Sequence, residues 1–505
     1  MTHPLARIDF RYNTQHVPPK VRAAIQKNTR TAIVKRGEAV AQLGVATWEQ
    51  LRQAAHDLKL HTLTHLDAYL PQLEANVIAA GGVVHWANDA DEARRIVLAL
   101  ARAHNVTRIT KVKSMLSEEI ELNEALGDAG IRALETDLGE YIVQLDHSRP
   151  SHPTNPTLHY TKEDIAEIFR RELGVDAPPD PFVLTEIARQ KLRAEFLAAE
   201  MGISGGNFLI AETGTLALIT NEGNGRMCTT LPPVHVAIVG IEKVIPDWNS
   251  LAVALSLLAR STTGQQLSAY TSFITGTRAG GPREFHLILL DNGRTQILRD
   301  PAARETLLCI RCGACANICP VFQNIGGHAY GWAYSGPIGA LVTPQLIGTL
   351  RAGDLPFASS LCGACADICP VKIPIPQILV HLRQRVVAGD AFAAPVAPPA
   401  MQAGARAGAF GLSQPWLYEL GSQMLKFAQM PFARGAWLPS LPPPANRWTL
   451  TRPFPKFDAT FRDWFRARTP QGRAQKQTRA LGAAVLALGA GALLFALARK
   501  LWRRK

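Results

Sequence analysis

Outside residues 309–369 this chain of 505 residues holds a single cysteine, Cys228. That scarcity argues against a dispersed disulfide framework, and the opening residues lack the apolar run that directs export, so a reducing compartment, the cytoplasm, is expected. The two phosphate-binding glycine fingerprints, G-x-G-x-x-G and G-x-x-x-x-G-K-[ST], are also absent, which removes the simplest nucleotide-binding readings. Most of the chain lacks an excess charge of either sign. The net charge is +13, yet residues 401–505 carry 17 Lys and Arg against 3 Asp and Glu, which leaves −1 for the first 400. The neutral body has no module of interleaved aromatic and basic residues, so no nucleic-acid partner is expected. The basic tail points to a membrane surface or an acidic partner.

The remaining seven cysteines form one repeated pattern. It reads Cys309-Ile-Arg-Cys312-Gly-Ala-Cys315-Ala-Asn-Ile-Cys319-Pro320, and then Ser359-Ser-Leu-Cys362-Gly-Ala-Cys365-Ala-Asp-Ile-Cys369-Pro370. The first copy is the C-x2-C-x2-C-x3-C-P run of bacterial iron–sulfur proteins, in which three thiolates hold one cluster and the fourth, before proline, reaches the other. Zinc knuckles use paired C-x2-C units or histidines and do not require this spacing. On the exchange rule Cys309, Cys312, Cys315 and Cys369 hold cluster 1, a [4Fe–4S] cluster. Cys319, Cys362 and Cys365 hold cluster 2, [4Fe–4S] or [3Fe–4S], with Ser359 where an eighth cysteine would stand. Cys228 reads as a small buried hydrophobe.

Residues 1–80 read as a helical packing segment, with a capping box at Thr47–Gln50 and an apolar stripe through Leu63, Leu66, Leu70, Leu73 and Val77. Its histidines, His56, His61 and His65, read as surface residues. Residues 81–300 alternate short apolar runs with amphipathic helices, which predicts a mostly parallel α/β sheet. Strands are expected at 83–87, 106–112, 131–135, 208–211, 215–220, 234–239 and 285–290. Glycines such as Gly202, Gly205, Gly206 and Gly214 read as corners where strands end, the place where such sheets bind ligands. Lys111, Lys113, Glu135, Asp137 and Glu140 read as a solvated rim, and His152 and His159 lack a visible third ligand.

The strings ETDLGE at 135–140, NFLIAETGT at 207–215, GNGR at 223–226, PPVH at 232–235 and TRAGGPREF at 277–285 resemble the LUD domain. Joined to the cysteine motifs, they resemble the lactate utilisation protein B family over roughly residues 15–465. The resemblance implies a fold related to ribose-phosphate isomerases and CoA transferases, followed by an all-α, helical ferredoxin-like dicluster domain at 301–390. It implies an electron-transfer role in oxidising L-lactate to pyruvate, beside a cysteine-rich subunit and a second LUD subunit. The alternative is that the LUD domain itself binds or transforms a carboxylate, CoA or sugar-phosphate. No catalytic residue comes with the resemblance, and seven cysteines are usual for the family.

Between the motifs a helix is expected from Thr343-Pro344 to Gly353, and after them another from Pro376 to Gly389. His328, Tyr330, Trp332 and Tyr334 read as core around the clusters. Residues 391–470 read as Pro-rich linkers around a small apolar helix and the family's C-terminal segment. In the tail, 471–505, the run 480–498 is uncharged and flanked by basic residues. As a helix it is about 28 Å long, against a hydrocarbon core of about 30 Å, so a C-terminal membrane anchor is expected.

Overall fold

The computed structural model describes residues 7–441 except 153 and 278, together with 446, 449, 453–457 and 461–468. The chain divides into two units, one ending at Ala397 and one beginning at Pro398.

The first unit is built on a parallel sheet of six strands: β1 (Val83–Ala87), β2 (Arg108–Lys111), β3 (Arg132–Glu135), β4 (Met201–Ser204), β7 (Val234–Gly240) and β10 (Glu284–Leu290), in the order β1-β10-β7-β4-β2-β3. The remaining strands, β5 (Phe208–Ile210), β6 (Thr215–Thr220), β8 (Val244–Ile245) and β9 (Tyr270–Ile274), form a second sheet in the order β8-β5-β6-β9. Parallel strands covered on both faces are mostly apolar, and all seven residues of β7 are buried. The period of two divides them between two cores. Ala237, Val239, Leu287 and Leu289 face the core shared with the N-terminal helices and the cysteine region, whereas Val236, Ile238, Ile288 and Leu290 face Val97, Ala101 and Ile109.

Several expectations are corrected. The strands at 208–211 and 215–220 belong to the second sheet, where they pair antiparallel. Gly202 lies inside β4, where a Cβ would meet the Cys228 carbonyl oxygen at 1.8 Å. Thr47 caps nothing: the helix Val45–Thr64 begins after Gly44, whose φ of 91° breaks the chain from the preceding helix Pro19–Leu43. The stripe from Leu63 to Val77 is interrupted at His65, between that helix and Leu66–Ala79. Pro344 lies within the helix Gly336–Leu346 instead of opening one, while the helix Ile375–Ala388 starts beside Pro376 as expected.

In the second unit two helices, Pro399–Ser413 and Pro415–Ala428, stand where one small apolar helix between linkers is expected, and a helix Phe461–Arg468 follows the short pairing of Trp437–Leu438 with Phe454–Pro455. Among the described residues no helix is long and apolar enough to cross a membrane, and the run 480–498 lies outside them.

Candidate iron–sulfur centre and the cavity beside it

The two cysteine motifs share one backbone path. In each, a non-glycine residue and a glycine adopt left-handed φ before a short helix: Arg311 (61°) and Gly313 (78°) before Ala314–Ile318, Leu361 (54°) and Gly363 (88°) before Ala364–Ile368. Glycine suits its place for a second reason at Gly313, where a Cβ would meet His152 Cε1 at 2.9 Å. Each helix ends on a cysteine with extended ψ, Cys319 at 119° and Cys369 at 122°, and the two helices pack on each other. The Arg311 amide donates to Cys309 Sγ at 3.3 Å, and the Leu361 amide donates to Ser359 Oγ at 3.1 Å. Ser359 therefore stands where the first motif has a cysteine.

The thiols act on one another across the motifs. Burial, then repulsion from Cys309, Cys312 and Cys369, pushes the Cys315 thiol well above the ordinary cysteine range. Cys312 is raised by burial, then by Cys369 and Cys309. Burial carries Cys369 up to about 11, with Cys309 adding to the effect. Separately, Cys365 is pushed up to about 12 by burial, then by Cys319 and Cys362, and Cys319 is raised by burial with Cys362 contributing. These repulsions sort into one set of Cys309, Cys312, Cys315 and Cys369, and another of Cys319, Cys362 and Cys365. Tyr330, wholly buried, lies near both, since Cys319, Cys315 and Cys365 all raise its phenol after burial does.

The residues fit an iron–sulfur cluster. Crowded, buried thiols ionise together only with a cationic core between them, and Cys309 and Cys369 already accept backbone N–H bonds at sulfur. One zinc ion would draw its sulfurs to about 3.8 Å from each other. Among the described residues, the group of three ligand atoms all within 4.8 Å is His104, Glu284 and His286, at the amino edge of the main sheet, and contains no cysteine.

Cations surround the first set. Arg52, buried, donates from Nε to the Cys369 carbonyl at 2.9 Å and from Nη2 to that of Asp367 at 2.9 Å. Arg36 donates to the Ile368 carbonyl at 3.2 Å, and Lys243 Nζ to that of Cys309 at 3.4 Å. The second set opens outward: Cys362 and Leu361 are exposed and Ser359 is half-buried. Positive charge favours the reduced form of a cluster, so the first set is the more oxidising environment on this account.

A cavity of about 370 Å³ adjoins the first set. Its walls are the carboxyl ends of β2, β4 and β7, including Lys113, Asn207 and Gly240, closed by Ile310, Arg311 and Tyr334 from the cysteine region. Beneath it lies a buried ion network. Arg294 binds both oxygens of Glu119 at 2.9 Å and Glu242 at 2.6 Å, and the Tyr334 hydroxyl donates to Glu119 at 2.5 Å. Burial would raise the Glu242 carboxyl, but Arg294 and Lys243 outweigh it and leave it at about 2.

The expected solvated rim is instead interior. Lys111 is fully buried, bonded to Glu135 and Asn123 at 2.6 Å each, and Lys113 lies 3.1 Å from the buried Glu140. Burial pushes Glu140 up to about 7 against the pull of Lys113, and Glu222 to about 7 with help from Asp137. The residues that cover this edge lie about two hundred positions along the chain, so no local pattern announces it. Arg311 has no role in the sequence reading, although a cation inside a C-x2-C loop is an available signal.

The other candidates stay apart. Burial pushes His152 and His159 down to about 3, and no third ligand joins them among the described residues. His56 faces Asp57 and Glu305, whereas His61 stacks on His65. Cys228 is wholly buried against Thr136, as expected of a small hydrophobe.

Comparison with known proteins agrees with this architecture. Residues 70–290 match the LUD domain, and residues 305–373 match the 4Fe-4S dicluster domain. The chain is 43% identical to "Lactate utilization protein B" of Shouchella clausii over 90% of this chain and 95% of that one. It is 42% identical to the protein of the same name from Bacillus licheniformis, over 89% and 94%. Against the "Uncharacterized electron transport protein YkgF" of Escherichia coli the identity is 41%, over 91% and 96%. With its domain order and near full-length similarity, the chain belongs to the lactate utilization protein B family.

Proposed function

We propose that this chain is the iron–sulfur electron-transfer subunit of a complex that oxidises L-lactate to pyruvate, working beside a cysteine-rich subunit and a second LUD subunit. Cys309, Cys312, Cys315 and Cys369 hold cluster 1, a [4Fe–4S] cluster; Cys319, Cys362 and Cys365 hold cluster 2, [4Fe–4S] or [3Fe–4S]. The observation that carries this reading is the shared backbone path of the two cysteine motifs, whose short helices Ala314–Ile318 and Ala364–Ile368 each end on a cysteine and pack on each other. When bound, such clusters supply one-electron transfer at potentials tuned by charge and exposure.

The chain's own residues set those conditions. Arg36 and Arg52 tie the loop of residues 367–369 to the N-terminal helices and place positive charge beside the first set. Tyr330 fills the space near both sets and excludes water there. The exposed edge at Leu361 and Cys362 is where a partner would approach the second set.

The run 480–498 is proposed to fix the chain to a membrane, because its length and basic flanks suit one. Deleting residues 478–505 should move the protein to the soluble fraction with its iron retained; an intact protein that is wholly soluble at moderate salt ends that part of the proposal.

The function as a whole is tested by affinity purification from lactate-grown cells, with electron paramagnetic resonance of the isolated complex before and after lactate. Co-purifying chains and lactate-dependent signals are expected. A lone chain whose signals ignore lactate would refute the role. A second reading, a ligand site in the LUD domain, is favoured by the cavity.

A further inference from the structure

Three residues that line the cavity carry a buried polar atom without a hydrogen-bond partner: Lys113 Nζ has the Glu140 carboxylate 3.1 Å away, and the other two, on Arg311 and Asn224, have no such counter-group and are of opposite kind. Arg311 offers a donor, since Nη1 is buried with no acceptor while the guanidinium lies 4.2 Å over the Tyr334 ring. Asn224 offers an acceptor: Nδ2 donates to Thr136 Oγ1 at 3.3 Å, and Oδ1 is buried with no donor. Chemistry fixes which end of that amide is which. Thr136 already gives its hydroxyl proton to the Lys111 carbonyl at 2.6 Å, so its oxygen can only accept from Asn224. Native interiors leave few such groups unmet, and both of these belong to residues that line the same 370 Å³ cavity, a volume within the small-molecule range.

Charge points the same way. The lining carries Lys113, Lys243, Arg294 and Arg311 against Asp137, Glu222 and Glu242. Arg294 is committed to Glu119 and Glu242, and Asp137 to the amides of Gly139 and Glu140. Lys113 faces Glu140, and Glu222 accepts from the Leu138 amide. Arg311 has no carboxylate of its own among the described ion pairs. A ligand that satisfies Arg311 and Asn224 brings an acceptor for the one and a donor for the other, and the charge of Arg311 favours an anionic acceptor.

We propose that this cavity binds a hydroxy-carboxylate, its carboxylate on Arg311 and its hydroxyl on Asn224, against the Cys309–Cys312 loop. A guanidinium suits a carboxylate because its planar N–H groups match the two oxygens. The cavity wall is bonded to that loop at two points: Thr262 Oγ1 donates to the Cys312 carbonyl and Lys243 Nζ to that of Cys309. Occupancy is thereby felt at the first cysteine set. The ligand class stands on the two orphan atoms, whereas the effect on cluster 1 rests on the two-cluster reading.

The test is calorimetry on the iron-loaded full chain with four probes: L-lactate, L-malate, pyruvate and inorganic phosphate. Saturable binding of at least one hydroxy acid is expected, with lactate held about tenfold or more tighter than pyruvate if lactate is the one that fits. Asn224→Asp, which sets a negative charge in the cavity away from the cysteines, should weaken that binding about tenfold or more. Arg311→Gln should abolish it at unchanged iron content, with Arg311→Lys restoring part. Failure of both hydroxy acids to bind, equal binding of pyruvate or phosphate, or indifference to Asn224→Asp overturns the proposal. A parallel spectrum of the dithionite-reduced protein separates the two readings. Signals from two clusters without ligand binding condemn the cavity alone, and binding without cluster signals condemns the cluster reading alone.

Discussion

Ser359 occupies in the second motif the place of Cys309 in the first: each accepts a hydrogen bond from the amide two residues on, at 3.1 Å from Leu361 and 3.3 Å from Arg311. The backbone that delivers them is the same, left-handed at Arg311 and at Leu361. The asymmetry between the motifs is therefore one atom in chemistry, oxygen for sulfur, at matching positions. It coincides with an asymmetry of exposure, since the second motif opens outward where the first is enclosed.

The first prediction concerns that position. A serine hydroxyl must lose its proton to replace a thiolate, and its shorter C–O bond reaches less far, so cluster 2 should be the labile one. In air the wild-type protein should develop a [3Fe–4S] signal in electron paramagnetic resonance, and Ser359→Cys should suppress it and raise the iron content. An undiminished signal in the variant would remove Ser359 from the account.

The second prediction concerns Glu222, a carboxyl raised to about 7 by burial and by Asp137. Its unfolded value is about 4.3, so below that pH both states are protonated and the group is neutral in its effect. As pH rises from there to about 7, the unfolded chain releases the proton while the folded one keeps it, and stability falls. Glu222→Gln should remove this loss, so the variant's melting temperature should exceed that of the wild type by more at pH 7.5 than at pH 5. A constant offset at both values would contradict the assignment.

The third prediction concerns Arg294, buried between Glu119 and Glu242. Arg294→Met leaves two carboxylates without their cation in the interior, which typically costs about 3–5 kcal/mol. A clear drop in melting temperature is expected, with partial recovery when Glu119→Gln is added. A variant as stable as the wild type would mean that the network carries little of the fold.

What was legible in the sequence follows the range of the interactions involved. The strands at 83–87 and 215–220 stand out because apolar runs between turn residues are local signals. Strand β4 was hidden because Gly202 looks like a corner, and its reason for being glycine, the Cys228 carbonyl, comes from a helix that follows later. The helix start at Val45 was misplaced because Thr47 imitates a cap, whereas the break is made by the backbone of Gly44. Motif spacing marks the seven cysteines as candidate cluster ligands. The cavity stayed invisible, because Lys113 and Arg311 meet only when the cysteine region closes over the carboxyl edge of the sheet.

The central claim is that each cluster draws a ligand from the other motif, and the most direct measurement is a pair of single variants read by iron analysis and electron paramagnetic resonance. Cys369→Ala, in the second motif, should damage cluster 1 and leave the signal of cluster 2; Cys319→Ala, in the first motif, should damage cluster 2 and leave cluster 1 a cubane. The proposed sets, in which Cys369 joins Cys309, Cys312 and Cys315 while Cys319 joins Cys362 and Cys365, predict that outcome. If each substitution instead destroys the cluster of its own motif, the exchange of ligands is wrong, and the open position at Ser359 is wrong with it.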